Sequence, residues 1–365
     1  GAIAAAGIFG ILKSLRIVAG SFAVAARTFR QGEAQAALRT DRDLTVVTIL
    51  LGVLASTLAA GVFFSTLGQS LAVVLIGLAL TLLFSFFFTS VAANAIATTA
   101  RNPVSGMTML TIIVSSVVLL RFGVSGTSGM FFVMALAGVV CTALSISGQF
   151  VTDLKTGYWL GATPATQEKV KFLGVAVSAV IAALTIVALA HGYQFGEAAA
   201  GDTRAVLPSP QASIMKALVE GFMSRQPVAY ALFGAGAVVA LIMEMLGVPA
   251  LIFALGMYLP LELNTPALVG GLLAYFLNRR AERAGGERGT TIRERGVVIA
   301  SGLMAGGALG GVLGASFRLI PGFSEGWLTS PIYGEPALSQ SFAALLFVGL
   351  CVYLWKASLR HSAAE

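Results

Sequence analysis

Eight apolar windows punctuate this chain, near residues 44–64, 71–90, 104–120, 128–147, 172–191, 227–246, 297–315 and 337–355. The hydrocarbon core of a bilayer is about 30 Å thick, so a helix needs roughly 20 mainly apolar residues to cross it. Each window reaches or approaches that length. The chain is 57% hydrophobic and only 11% charged, where a soluble domain carries about 25% charged residues. The expected fold is therefore all-α: a polytopic transmembrane helical bundle, read as a single membrane domain over 1–365. A formal charge of +7 does not point to nucleic acid, because the basic residues gather in a few loops without interleaved aromatics. Cys141 and Cys351 both lie in apolar runs, as inert core cysteines do.

Two stretches break the pattern. Thr89 to Leu110 reads TSVAANAIATTARNPVSGMTML, and Gly256 to Gly271 reads GMYLPLELNTPALVGG. Proline removes a helix donor and glycine removes side-chain cover. Hydrocarbon offers no substitute partner for the freed backbone, so interruptions at membrane depth persist only where protein buries them or where they line a cavity. Paired discontinuous helices are a transporter feature. Residues 91–106 and 256–271 are thus expected to be non-helical or sharply kinked, and to approach one another.

Charge gives the orientation. Arg27, Arg30, Arg39 and Arg42 precede the first full window, and Lys155, Lys169 and Lys171 follow the fourth. A third cluster, from Arg279 to Arg295, precedes residue 297, and Lys356 with Arg360 closes the chain. The positive-inside rule places all of them in the cytoplasm. Strict alternation satisfies the first two clusters and puts the 192–226 loop outside. It then fails at the third unless 249–277 enters and leaves on the same side. A re-entrant hairpin bent from Leu259–Pro260 through Thr265–Pro266 removes the conflict. Within the external loop, 207–222 reads as a short amphipathic connector at the surface, with Lys216 and Glu220 on its polar face.

Four segments, SVAANAIATTARNPVSGMT, SGQFVTDLKTGYWLGATPATQEKVKFLG at 147–174, LPSPQA at 207–212 and MLGVPALIFALGMYLPLELNTPALVGGLL at 245–273, together resemble the oligopeptide transporter family. The resemblance is to its bacterial branch, related to the yellow-stripe-like metal-chelate carriers. It implies a secondary active, proton-coupled carrier of oligopeptides or peptide-like metal chelates in a bacterial inner membrane. It also implies a second, N-terminal half with related spans, of which this chain, starting at Gly1 inside an apolar run, is the C-terminal complement. Association into a homo-oligomer is compatible with that reading.

Candidate site residues follow from the cost of polarity at membrane depth, about 2.5–3.5 kcal/mol for a charged group at a helix centre. Glu244, at the end of an apolar run, and Glu262, inside the second break, are the candidates for proton coupling. Asn94, Asn102, Ser105, Tyr258 and Asn264 are the neutral polar groups at the breaks, suited to a substrate pathway. Freed carbonyls and positive helix N-termini there favour a zwitterionic or anionic substrate. Arg121 reads as a snorkelling anchor, while Arg101 fits either interface or cavity. Asp153 and Lys155, in TDLKTGYWLGATP at 152–164, suit an interfacial ion pair or a gating loop. The Gly-rich run at 305–315 fits close helix packing.

No catalytic or cofactor site is expected. His191 and His361 have no metal or catalytic partner in sequence, and no phosphate-binding loop occurs. A channel is the alternative, but it calls for charge rings or carbonyl filters around an oligomeric axis. Two unequal breaks in one chain suit alternating access better.

Overall fold

A computed structural model describes residues 38–99, 102, 104–195, 206–207, 209–223, 230–259, 261–317 and 336–360, together with 1–3, 5–6, 9 and 20. Its architecture is all-α. In chain order the helices are α1 (Val46–Ser65), α2 (Leu71–Thr99), α3 (Val104–Arg121), α4 (Gly126–Leu160), α5 (Pro164–Gly192), α6 (Pro210–Met223), α7 (Tyr230–Met245), α8 (Ala250–Tyr258), α9 (Leu261–Ala284), α10 (Gly286–Phe317) and α11 (Pro336–Leu359). Two dipeptide strands, β1 (Gln194–Phe195) and β2 (Val206–Leu207), pair in parallel. Among the described residues six helices are long and apolar enough to cross a membrane, and 106–121 and 231–245 form shorter apolar helices. These account for all eight windows.

The chain divides into two compact units, one of residues 1–177 with 210–258 and the other of 178–209 with 259–365. In the first, α4 is the hub: α2 and α3 pack along it, and α6 closes against α3 and α4. Its buried face presents Phe132, Leu136, Val140 and Leu144, all fully enclosed. Phe64 of α1 meets Phe132 with ring centroids 5.3 Å apart. Where Phe132 crosses α2, the position opposite is Gly77, and an added Cβ would fall 2.7 Å from the ring. Lipid replaces water around such a bundle, so the apolar side chains of α1 and α5 remain exposed.

Side-chain bonds define the two ends of this unit. At one, Gln69 donates to the Ser128 hydroxyl at 2.7 Å, joining the α1–α2 and α3–α4 turns. At the other, Arg39 donates to the Thr163 hydroxyl at 3.0 Å and to the Gly161 carbonyl at 2.8 Å. The segment before α1 and the α4–α5 turn therefore lie together, as the charge pattern requires for the first two basic clusters.

The segment read as a surface connector is instead built into the core. Ile214, Leu218, Val219 and Met223 of α6 are buried in the same cluster as Met109 and Leu119 of α3 and Phe132 of α4. Their i, i+4, i+5, i+9 spacing puts them on one face. Lys216 and Glu220 face away and lie 3.9 Å apart. The apolar face of α6 thus meets protein.

In the second unit α9, α10 and α11 pack together. Leu277, Ala281 and Ile292 form the seam, against Leu273, Leu354 and Trp355. Gly285 and Gly286, at φ 65° and 49°, turn α9 directly into α10, a conformation that side chains resist. A Cβ at Gly289 would come 2.4 Å from the Ala281 carbonyl oxygen. Glycine there brings the two backbones together.

Candidate transport site

The first interruption is narrower than expected. Residues 91–99 belong to α2 and 104–106 to α3, with Asn102 outside both helices. VAANAIATT contains no helix breaker, so the helix continues through it. Arg101 lies outside the described residues. The junction closes onto α4 at Gly148, where an added Cβ would stand 2.2 Å from Ile96 Cδ1 and 2.5 Å from Asn102 Nδ2. Asn94 lies on an exposed side of α2. Ser105 is in the first turn of α3, and its side chain lies outside the described residues.

The second interruption falls at Leu259, between α8 and α9. The bend expected to continue through Thr265–Pro266 is helical instead: Pro266 sits inside α9. As the sixth residue of that helix it forbids the bond from its own nitrogen to the Glu262 carbonyl, yet the turn holds. The Thr265 hydroxyl donates to the Leu261 carbonyl at 2.8 Å, and Asn264 Nδ2 donates to the Leu259 carbonyl at 2.9 Å. Asn264 therefore satisfies backbone that the break frees. Tyr258 is the last residue of α8 and Glu262 the second of α9; their side chains lie outside the described residues. Position two of a helix lies within the positive end of its dipole.

Glu244 has a defined partner. A turn at Gly247, φ 77°, separates α7 from α8, and Glu244 Oε2 accepts from the Ala250 N–H at 3.2 Å. Ala250 is the first residue of α8, so the carboxylate caps a helix whose first N–H groups lack internal partners.

At the α4–α5 turn the polar groups interlock. Lys171 donates to Asp153 at 2.5 Å, an i to i+18 pairing across the turn. Lys155 lies over two rings instead, 4.9 Å from the Tyr158 centroid and 5.4 Å from that of Trp159. Asp153 and Lys155 thus take different partners. Glu168 accepts from the Leu44 N–H at 2.9 Å, and Ala165 N–H donates to the Arg42 carbonyl at 2.9 Å. Gly161, φ 68°, ends α4 with the Ala162 N–H on the Gly157 carbonyl at 2.8 Å.

The model of the OPT oligopeptide transporter family matches residues 1–318. The chain belongs to that family. It is similar to a Haemophilus influenzae protein provisionally named an oligopeptide transporter, 30% identical over 284 residues, covering 70% of this chain and 44% of that relative. The chain thus spans under half the length of the curated relative it matches. No solved structure matches it. As an OPT-family chain with six long apolar helices among its described residues, it is an integral membrane protein.

One polar feature of this family member escaped the sequence reading. Thr108, Thr111, Ser115 and Ser116 of α3 are all buried. The two threonines donate back to the carbonyls of Val104 and Met107, whereas the hydroxyls of Ser115 and Ser116 have no hydrogen-bond partner among the described residues. Hydroxyls in membrane helices commonly bond their own backbone. The signal was the i, i+3, i+7 run of hydroxyls at 108, 111 and 115, which apolar periodicity masks.

Proposed function

We propose that the whole protein is a secondary active, proton-coupled carrier of oligopeptides or peptide-like metal chelates in a bacterial inner membrane. Membership of the OPT family supports the transport class. The helix interruption at Leu259 carries the rest of the reading. It places a carboxylate residue, Glu262, at the start of α9 and gives Asn264 the task of holding the freed carbonyl. A helix N-terminus at membrane depth favours the free carboxylate shared by peptides and chelators. Asn94, Asn102, Ser105, Tyr258 and Asn264 are assigned to the substrate pathway, and Asp153 with Lys155 to its gate. Glu262 is the preferred coupling group, because Glu244 already serves α8.

The test is uptake by the full-length protein in proteoliposomes, with labelled tripeptides beside iron and nickel chelates under an imposed proton gradient. The reading expects saturable accumulation of one class that collapses with a protonophore. Flux that does not saturate, or that ignores the gradient, would overturn it.

A further inference from the structure

Along α9, Phe276, Arg279, Arg280 and Arg283 follow i, i+3, i+4, i+7 and so share one face. With Arg288 of α10 and Trp355 of α11 they line a cavity of about 560 Å³, within the range of ligand sites. None of these four arginines makes a salt bridge or hydrogen bond among the described residues. Glu282, between Arg280 and Arg283 in sequence but on another face, lies 3.8 Å from Arg293 and lines a different cavity of the same hairpin. Among the described residues no acidic side chain lines the arginine cavity. Guanidinium groups stay protonated, so four of them around one hollow repel one another until an anion enters.

A second cavity, about 450 Å³, adjoins the first through Trp355, which lines both. Its walls are Val269 and Leu273 of α9 and Phe347, Val348, Cys351 and Val352 of α11, and it exposes no polar surface. From Val269 to Arg283 the groove follows α9 for about 21 Å at 1.5 Å per residue. It is apolar at one end and cationic at the other. A soluble anion uses only the cationic end.

We propose that this groove is a phospholipid site, taking an anionic headgroup among Arg279, Arg280, Arg283 and Arg288 and an acyl chain along the apolar walls of α9 and α11. Basic pockets between membrane helices suit such headgroups, and indole rings favour the boundary between headgroup and tail. Among the described residues, none assigned to the substrate pathway lines either cavity.

The experiment places the full-length protein in bilayers doped with phosphatidylglycerol or phosphatidylcholine brominated on the acyl chain. The quantity read is the tryptophan quenching lost in Trp355→Phe, which isolates the Trp355 signal. Brominated phosphatidylglycerol is expected to quench that signal at several-fold lower mole fraction than brominated phosphatidylcholine. Arg279→Gln, Arg283→Gln and Arg288→Gln should each erode the preference by about fivefold or less. Equal quenching by the two wild-type titrations overturns the proposal, whatever the variants do. A Trp355 signal that answers inorganic phosphate but shows no lipid preference also overturns it, in favour of a soluble-anion site.

Discussion

At the residue scale the two candidate coupling carboxylates occupy different places: Glu244 lies near the end of α7 and Glu262 is the second residue of α9. Glu244 accepts the first N–H of α8, a capping bond whose removal costs about 0.5–2 kcal/mol. Glu244→Ala should therefore lower the melting temperature of the purified protein, while Glu244→Gln, which keeps an acceptor oxygen, should lose much less. If neither variant changes the melt, the cap contributes nothing. Glu262 stands at the start of α9, beside the break. Coupling to protons requires a group that changes charge during the cycle, and glutamine fixes the neutral form at nearly constant size. Glu262→Gln should retain substrate exchange between equal concentrations and lose gradient-driven accumulation. Wild-type accumulation with unchanged pH dependence would remove Glu262 from the coupling role. Asp153 pairs with Lys171 rather than Lys155, which sequence proximity could not disclose because the partner lies across the α4–α5 turn.

At the element scale, glycine decides how closely helices approach. Gly289 faces backbone: an added Cβ would lie 2.4 Å from the Ala281 carbonyl oxygen, an atom that cannot swing aside. Gly289→Ala should force α9 and α10 apart and cost about 1–3 kcal/mol, read as earlier unfolding in a denaturant titration. Gly148→Ala meets only the ends of the Ile96 and Asn102 side chains, so it should cost less. An equal loss in both variants would refute the distinction. The apolar windows were legible because lipid demands about 20 apolar residues regardless of tertiary detail. The edges of the breaks were not, because one lost backbone bond does not end a helix: α9 runs through Pro266, while Asn264 satisfies the Leu259 carbonyl beside the break. Burial of α6 was equally hidden: an amphipathic face declares that something covers it, not whether lipid or protein does. The capping role of Glu244 depends on the Gly247 turn bringing position 244 back to Ala250, a proximity no periodicity reports.

At the scale of the whole molecule, orientation is the property on which substrate access and charge both depend. The bonds from Arg39 to Thr163 and Gly161 put the segment before α1 and the α4–α5 turn at one end. The bond from Gln69 to Ser128 puts two other turns at the opposite end. The basic α9–α10 hairpin should share the compartment of Arg39, since exporting several arginines opposes the positive-inside bias. With Cys141 and Cys351 replaced by serine, single cysteines at Arg42, Thr163 and Arg288 should react with an impermeant maleimide only when the cytoplasmic face of oriented vesicles is accessible. Cysteines at Gln69 and in the 192–226 loop should react only from the other face. Labelling of Arg288→Cys together with the 192–226 loop would mean that 249–277 crosses once, and the hairpin reading would fall. Labelling of Arg288→Cys with Arg42→Cys would require the chain to return at the Leu259 interruption, which would then be the point where the path of the backbone reverses within the membrane.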